Sequence, residues 1–404
     1  MGAYLSAPVT AKESEDAECE WLRCGASSMQ GWRRSMEDAH VNGATVGGDA
    51  RFFGVFDGHG GAEVARFTAR HIAEALPNDW NADASRALKA LFHEMDSRLR
   101  LADNSAELTS LKNAAAGVAR APPRAAVDDA AVGTASDEDR QSAKKEAFAL
   151  FSQVLATTKA TQRDATDGEQ GGAPRDGAAA LAAANRAELA NAGQESVAPG
   201  ERRRCTLPDY AFSAGCAAVV VVAERTEGGL SRLWCANAGD SRAVVSRNGL
   251  AFGLSEDHKP NDSGERYRID NAGGFVECAN GFYRVNGNLN LSRSLGDLKY
   301  KQNAELRPEE QIISADPDVL AYDVNSDDEF FILACDGIWD VCSNQDAVDF
   351  VRKRLDELKA QGGHVKLSQI CEDLFDFCLA KNPRETRGIG GDNMTVIIVE
   401  FNRV

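Results

Sequence analysis

Three aspartates stand beside apolar runs that the sequence predicts to be β-strands. Asp57 and Asp336 each end such a run and precede a glycine, whereas Asp392 comes just ahead of the apolar run 394–399. Asp-Gly after a β-rich run is also the strongest short-range hairpin signal, so a turn explains either copy alone. Together, three strand ends would aim hard carboxylate oxygens at one point, which suits divalent cations.

An arginine and two adjacent carboxylates occupy a second polar segment. Arg33 precedes Glu37 and Asp38 by four and five residues. In isolation this pattern is typical of an exposed turn or a surface ion pair, which contributes little. If the aspartates hold Mg²⁺ or Mn²⁺, a nearby guanidinium would bind a phosphate dianion in bidentate fashion and leave the phosphorus facing the metals.

These side chains require a rigid framework, and the apolar periodicity predicts one. The strand 52–56 is followed by helical patterns at 62–76 and 84–101. The pair Asn248-Gly249 predicts a type I′ hairpin turn. Because strands and helices come in separate runs rather than in strict βαβ alternation, the fold class is α+β. Further strands are predicted at 216–223, 232–238, 242–247, 250–254, 329–335 and 394–401, and further helices at about 344–360 and 366–381.

One long segment differs in composition from the rest of the chain. Residues 102 to about 208 are rich in Ala, Asp, Glu, Gly, Arg and Gln and contain few aromatics. Such a segment buries too little apolar area to offset its ordering entropy, so we predict a largely disordered insertion with local helix at 142–160 and in its alanine-rich part. A spacer and a docking or regulatory segment are both compatible with this composition.

The N-terminal segment 1–20 carries a modification signal. Its first residues, MGAYLS, match the pattern for N-myristoylation at Gly2, although short motifs also match by chance. A single myristoyl chain gives only marginal, reversible membrane binding. The acidic residues that follow would be repelled by anionic lipid, so membrane association is expected to be transient.

Charge, hydropathy and cysteine usage narrow the class of protein. With 45 basic and 62 acidic side chains the formal charge is −17, which argues against a nucleic-acid-binding role. The longest apolar stretch, about 214–223, is about half of what a transmembrane helix needs, so no span is predicted. Ten cysteines without a CxxC pair, and no signal peptide, favour a reducing, cytoplasmic location; peripheral membrane and nuclear locations stay open.

Several motifs follow one another along the chain in a fixed order. They are GWRRSMEDAH at 31–40, FFGVFDGHGG at 52–61, ANAGDSRAVV at 236–245, LNLSRSLGD at 289–297, ILACDGIWDV at 332–341 and GDNMTVIIV at 391–399. In this order they resemble the metal-dependent PP2C-type (PPM) serine/threonine protein phosphatases, over a domain of residues 21–402 interrupted at about 102–208. The resemblance is greatest to the gamma subgroup, whose insertion, unlike this one, is strongly acidic.

The resemblance implies a fold and a metal centre. The fold would be a four-layer αββα sandwich, two antiparallel sheets flanked by helices. Asp57 would bridge two Mg²⁺ or Mn²⁺ ions, the Gly58 carbonyl would contact the first, and Asp336 and Asp392 would hold the second. All-oxygen ligation independently favours these ions over zinc or copper.

Further carboxylates are assigned by the same resemblance. Glu37 and Asp38 would act through metal-bound waters. Asp240, together with Asp336 and Asp340, would hold a weaker third ion. The substrates implied are phosphorylated proteins, selected by the insertion and by the segment 254–274, which resembles the family's flap beside the catalytic cleft.

Two further residues would carry the catalytic steps. Two dications lower the pKa of a water that bridges them, so a hydroxide would be present near neutral pH. This hydroxide would attack the phosphorus directly, without a phosphoenzyme. Arg33 would hold the phosphoryl oxygens as the transition state forms. His59, which would otherwise be read as a surface histidine, would protonate the leaving seryl or threonyl oxygen.

One departure and one alternative accompany this interpretation. Where the family usually has a hydroxyl entering a core strand, this chain has Ala217, which we expect to pack acceptably in a buried strand. The alternative is a pseudophosphatase that uses the fold as a binding module, with the insertion as its docking element. Loss of Asp57, Asp336 or Asp392 would indicate it, and all three are present.

Overall fold

Apolar runs pair into two antiparallel sheets, and a short hairpin lies beside them. The computed structural model describes residues 4–118, 213–226, 229–279, 281–362 and 364–402. The strands are β1 (Val9–Glu18), β2 (Leu22–Gly31), β3 (Ala39–Val46), β4 (Ala50–His59), β5 (Gly215–Thr226), β6 (Gly229–Ala238), β7 (Arg242–Arg247), β8 (Leu250–Gly253), β9 (Val276–Ala279), β10 (Phe282–Val285), β11 (Leu295–Gly296), β12 (Asp318–Asp323), β13 (Asp328–Ala334) and β14 (Met394–Phe401).

The strand order defines the two sheets. Sheet I runs β1-β2-β14-β13-β7-β8, and sheet II runs β12-β6-β5-β4-β3 with β11 beside β5. The pairing between neighbours is antiparallel throughout both sheets. The predicted turn between β7 and β8 is confirmed, because Asn248 and Gly249 take φ values of +49° and +77°, as a type I′ turn requires.

Helices cover the outer faces of both sheets. The first three pack on sheet II, and the last three pack on sheet I. The helix at 344–360 begins with a capping box formed by Ser343 and Asp346. The helices are α1 (Glu63–Ala75), α2 (Ala84–Arg98), α3 (Ser105–Val118), α4 (Ser263–Asn271), α5 (Asp336–Trp339), α6 (Asn344–Ala360) and α7 (Leu367–Cys378).

The layer between the sheets is entirely apolar at its centre. Phe53 of β4 and Phe331 of β13 meet edge to face, with ring centroids 5.5 Å apart, and both are fully buried. The neighbouring Phe52 points the other way, into the cluster beneath α1 and α2. Both faces of β4 are therefore covered, which explains its continuous apolar run. The predicted four-layer αββα sandwich is confirmed.

Order extends further into the predicted insertion than composition suggested. Helix α3 lies inside the stretch assigned to it, and Leu108 and Leu111 are buried against the cluster on sheet II. Two leucines on one face suffice to pack an alanine-rich helix against the domain. The predicted start of the insertion, at about residue 102, was therefore too early. Residues 119–212, including the helix predicted at 142–160, lie outside the described residues.

The N-terminal segment is part of the domain rather than separate from it. Strand β1 forms the exposed edge of sheet I, antiparallel to β2. Asp16 accepts hydrogen bonds from the Ser368 amide at 2.9 Å and from its hydroxyl at 2.5 Å, so β1 places a carboxylate at the N-terminus of α7. Gly2 lies outside the described residues. Within those residues, no helix has the length and apolarity to cross a membrane.

Candidate active site

Neither Asp-Gly pair forms a hairpin turn. Asp57 lies within β4, which continues to His59, and Asp336 is the first residue of α5. Neither Gly58 nor Gly337 has a positive φ.

The two glycines are required by close backbone approach instead. A Cβ on Gly58 would lie 2.2 Å from the Glu37 carbonyl oxygen, and one on Gly337 would lie 2.0 Å from that of Asn393. Each glycine thus lets one carboxylate-bearing element touch the backbone of another. The turn explanation is wrong for both copies.

The carboxylates interact strongly with one another. Burial, together with the charges of Asp336, Asp38 and Asp392, raises the pKa of Asp57 well above its ordinary value. Burial and the charges of Asp392 and Asp240 likewise raise the pKa of Asp336. Aspartates from both sheets therefore meet in one concentration of negative charge, which bound cations would stabilise.

The donor set fits hard divalent cations. In the described ranges, no three His, Cys, Asp or Glu side chains already converge as a complete metal-ligand cluster. Mg²⁺ keeps several waters and commonly uses only one or two carboxylates, so such a pre-formed cage is not required.

One buried oxygen of Asp38 lacks a hydrogen-bond donor in the part of the chain that the structure describes, which supports a water-mediated contact with a metal ion. Its Oδ2 accepts a hydrogen bond from the Thr395 hydroxyl at 2.7 Å, whereas its buried Oδ1 has no partner among the described residues. Burial raises the pKa of Asp38 to about 7, against the effect of the Thr395 hydrogen bond. A buried carboxylate oxygen left without a donor is costly, and a metal-bound water would satisfy it.

Arg33 lies at the edge of this cluster. Its guanidinium contacts the Asp392 carboxylate, while half of its side-chain surface stays exposed. The adjacent Trp32 donates its indole N–H to the Ala380 carbonyl at 2.8 Å and so anchors the segment. Arg33 is therefore positioned by one carboxylate and still exposes part of its side chain to solvent.

Asn393 holds the polar segment in place. Its amide donates to the carbonyls of Gln30 and Ser35 at 2.8 and 3.0 Å, and its oxygen accepts from the Glu37 amide at 3.0 Å. The Glu37 carboxylate accepts in turn from the Gly61 amide at 3.1 Å. Sequence reasoning missed this role, and the only available signal was the position of Asn393 next to Asp392.

His59 forms a buried ion pair that the sequence did not reveal. Its Nε2 lies 2.6 Å from Oδ2 of Asp297, which is fully buried and also accepts from the Ser294 hydroxyl at 2.6 Å. Burial opposes the charged imidazole, but the charge and hydrogen bond of Asp297 outweigh it and raise the pKa of His59. Asp297 ends the motif at 289–297, which was its only signal.

Asp240 lies in the turn between β6 and β7 and is buried. Lys259, from the flap at 254–274, places its Nζ 2.6 Å from Asp240 Oδ2. Burial opposes the ammonium, but the Asp240 charge raises the pKa of Lys259. Asp340, at the end of α5, lies within electrostatic range of both residues. The three aspartates of the implied third position thus lie within electrostatic range of one another, beside a lysine that sequence reasoning did not assign.

Ala217 fits its position without the family's hydroxyl. It pairs with Asp57 across β4 and β5 and is buried. A Cβ on Gly239, where φ is +127°, would lie 2.5 Å from the Ala217 Cβ, so this contact has room only for small residues. The expectation that alanine packs here is confirmed.

An ion network fastens the flap helix α4 to the domain. Glu265 is buried and accepts from Arg268 at 2.7 Å and from Arg293 at 2.7 and 3.0 Å. Burial alone would raise the pKa of Glu265, but the two arginines lower it to about 2. The flap is thus held by charge as well as by the buried Ile269.

The fold and the cluster of buried carboxylates are typical of one class of protein, the enzymes that work with divalent metal ions. A family model described as Protein phosphatase 2C matches residues 22–119 and 141–386. The chain belongs to this family. It is accordingly a phosphatase of the metal-dependent serine/threonine class.

Individual relatives agree with this assignment. The chain is 36% identical over 406 residues to "Probable protein phosphatase 2C 21" of Arabidopsis thaliana, covering 100% of this chain and 93% of that protein. It is 33% identical to "Protein phosphatase 2C homolog 2" of Schizosaccharomyces pombe, covering 99% and 79%. A crystal structure of a phosphatase from Toxoplasma gondii shares the fold, with a TM-score of 0.60, 20% identity and coverage of 97% and 96%.

Proposed function

We propose that this chain hydrolyses phosphoserine and phosphothreonine in proteins with two Mg²⁺ or Mn²⁺ ions and without a phosphoenzyme. The observation that carries the proposal is the meeting of carboxylates from different elements, Asp57 on β4 and Asp336 on α5, where burial and the charge of Asp336 raise the pKa of Asp57. Such charge concentration is unfavourable in a folded protein unless cations are bound there.

The chain's own oxygen atoms would hold the ions. When bound, the ions would supply a water of lowered pKa as nucleophile and would neutralise charge on the phosphoryl oxygens. The ligands would be Asp57, the Gly58 carbonyl, Asp336 and Asp392, with Glu37 and Asp38 acting through water.

Arg33 would orient the phosphoryl group. Because Asp392 contacts only part of the guanidinium, the exposed part remains available for two phosphoryl oxygens. A fixed guanidinium stabilises the charge of the transition state without reorganising.

His59 would protonate the leaving oxygen. Asp297 raises the pKa of the imidazole and so favours its charged, proton-donating form. Because Nε2 is engaged by Asp297, the proton must come from Nδ1. The leaving alkoxide of serine or threonine requires such a proton.

The test is hydrolysis of a phosphothreonine peptide by the full chain with Mn²⁺, with chelator, and after Asp57→Asn. We expect chelation and Asp57→Asn each to lower kcat/KM on the order of 10³-fold, because several kcal/mol of charge stabilisation are lost. The exposed Asp79→Asn, in the connection between α1 and α2, is the matched control and should leave the rate unchanged.

Two results would count against the proposal. Activity that survives both the chelator and Asp57→Asn would exclude the metal mechanism. A wild-type chain that is folded yet inactive with Mg²⁺ and Mn²⁺ would favour the pseudophosphatase.

A further inference from the structure

Lys259 forms an ion pair with Asp240, a carboxylate that a third divalent cation would also need as a ligand. Its Nζ lies 2.6 Å from Asp240 Oδ2 and 4.0 Å from Asp257 Oδ2. Only 3% of the Asp240 side chain is exposed. The negative charge of a buried carboxylate in the cluster is thus balanced by an ammonium group of the same chain.

The backbone that carries Lys259 is fixed to the turn that it faces. The His258 amide donates to the Gly239 carbonyl at 2.9 Å, and the Gly239 amide donates to His258 Nδ1 at 3.2 Å. Asn237 donates to the Glu256 carbonyl at 2.9 Å. The backbone next to Lys259 is therefore held at the turn, which keeps the ammonium within reach of Asp240.

The other nearby cations have different partners. Arg33 contacts Asp392, and Arg242 binds Asp257 through two hydrogen bonds of 2.8 and 2.9 Å. Lys259 is the side chain whose charge acts on Asp240, Asp336 and Asp340 together. These are the carboxylates that a third ion would use.

We infer that Lys259 is a built-in counter-ion that competes with a third divalent cation for Asp240 and so weakens that position. An ammonium and a hard dication that contact the same carboxylate repel each other, and the ammonium already balances the Asp240 charge. Binding of the third ion has to overcome this repulsion or displace the ammonium, so this position fills only at metal concentrations above those that fill the first two. The inference rests on the proposed function.

The test is direct measurement of Mn²⁺ binding by the metal-free, full-length chain. Free Mn²⁺ is followed by electron paramagnetic resonance during titration, with calorimetry as a second readout. In Lys259→Met, which keeps the length and removes the charge, we expect the weakest Kd to fall about tenfold. Lys259→Arg should retain the wild-type Kd, and so should the control Arg266→Met, on the exposed face of α4.

A double variant separates local competition from general electrostatics. Asp240→Asn should remove the weak binding, and adding Lys259→Met to it should then change nothing. If Lys259→Met strengthens weak binding equally in the Asp240→Asn background, the effect is nonlocal and the inference is overturned. Thermal melting of each variant confirms that the fold is retained.

The remaining outcomes distinguish this inference from the proposed function. Two tight Mn²⁺ ions with no third ion in Lys259→Met, or an unchanged weakest Kd, would overturn the role of Lys259 and leave the two-metal phosphatase intact. A wild-type chain that binds no Mn²⁺ at all would overturn both.

Discussion

The layer between the two sheets and the flap at 254–274 are held by different forces. Between the sheets, β4 and β13 are fixed by buried rings such as Phe53 and Phe331. In the flap, α4 is held by the network around Glu265 and by a small apolar cluster that includes Ile269. The clustered carboxylates are thus positioned by apolar area buried across the whole domain, whereas the flap depends on a few charged contacts that can break locally.

The largest loss of stability is expected from removing a buried ring between the two sheets. Phe331→Ala should lower the free energy of unfolding by about 3–5 kcal/mol, because a fully buried ring leaves a cavity. Chemical denaturation followed by circular dichroism measures this loss. Phe331→Leu, which keeps most of the volume, should cost less, and a loss under 1 kcal/mol for the alanine variant would contradict the core assignment.

Removing the Glu265 charge at the centre of the flap network should lower the free energy of unfolding by a smaller amount. Glu265→Gln keeps the volume but leaves Arg268 without its carboxylate and Arg293 with that of Asp318 alone. We expect a loss of about 2 kcal/mol, below the value for fully buried pairs, because both arginines are partly exposed. Hydrogen exchange should quicken in α4 while β13 stays protected. Equal acceleration in both would show that the flap is no separate unit.

The same substitution has a defined pH dependence. The folded-state pKa of Glu265, about 2, lies below its ordinary 4.5, so its stabilisation is complete above pH 4.5 and is lost as pH falls toward 2. The difference in unfolding free energy between wild type and Glu265→Gln should therefore shrink across this window. A difference that stays constant down to pH 2.5 would exclude the ion network as its source.

The smallest effect is expected at the outer face of the flap. Tyr267 lies on α4 with 72% of its surface exposed. Tyr267→Ala should change the unfolding free energy by no more than about 0.5 kcal/mol, as for other surface substitutions. A loss above 1 kcal/mol, measured by the same denaturation, would mean that apolar packing fastens the flap and would remove the contrast with the core.

The residue types and their order predicted the main site residues, but the contacts between distant segments were not predictable. Asp57, Asp336 and Asp392 stood out because each borders an apolar run. The partner of His59 is 238 residues away, and no local pattern indicates such a contact. The sequence placed Lys259 in the flap but did not predict its ion pair, because no neighbouring residue in the sequence indicates that Asp240 is its partner.

The fold shows the same division. Continuous apolar strands such as β4 and β13 were predicted, since burial on both faces leaves a clear pattern. Strand β1 was missed, because an exposed edge strand of alternating charged and small residues has no apolar period. Helix α3 was assigned to the insertion by composition, although Leu108 and Leu111 dock it.

The close contacts of Gly58 and Gly337 bear on the size of the metal ion that the proposed centre would accept. Each glycine lets two carboxylate-bearing segments come into backbone contact, the closest approach that the chain allows. Oxygen sites for Mg²⁺ require distances of about 2.1 Å, whereas Ca²⁺ accepts about 2.3–2.6 Å and more ligands. A methyl group at either glycine would push these segments apart. Under the proposed function, so compact a centre would suit the smaller ion.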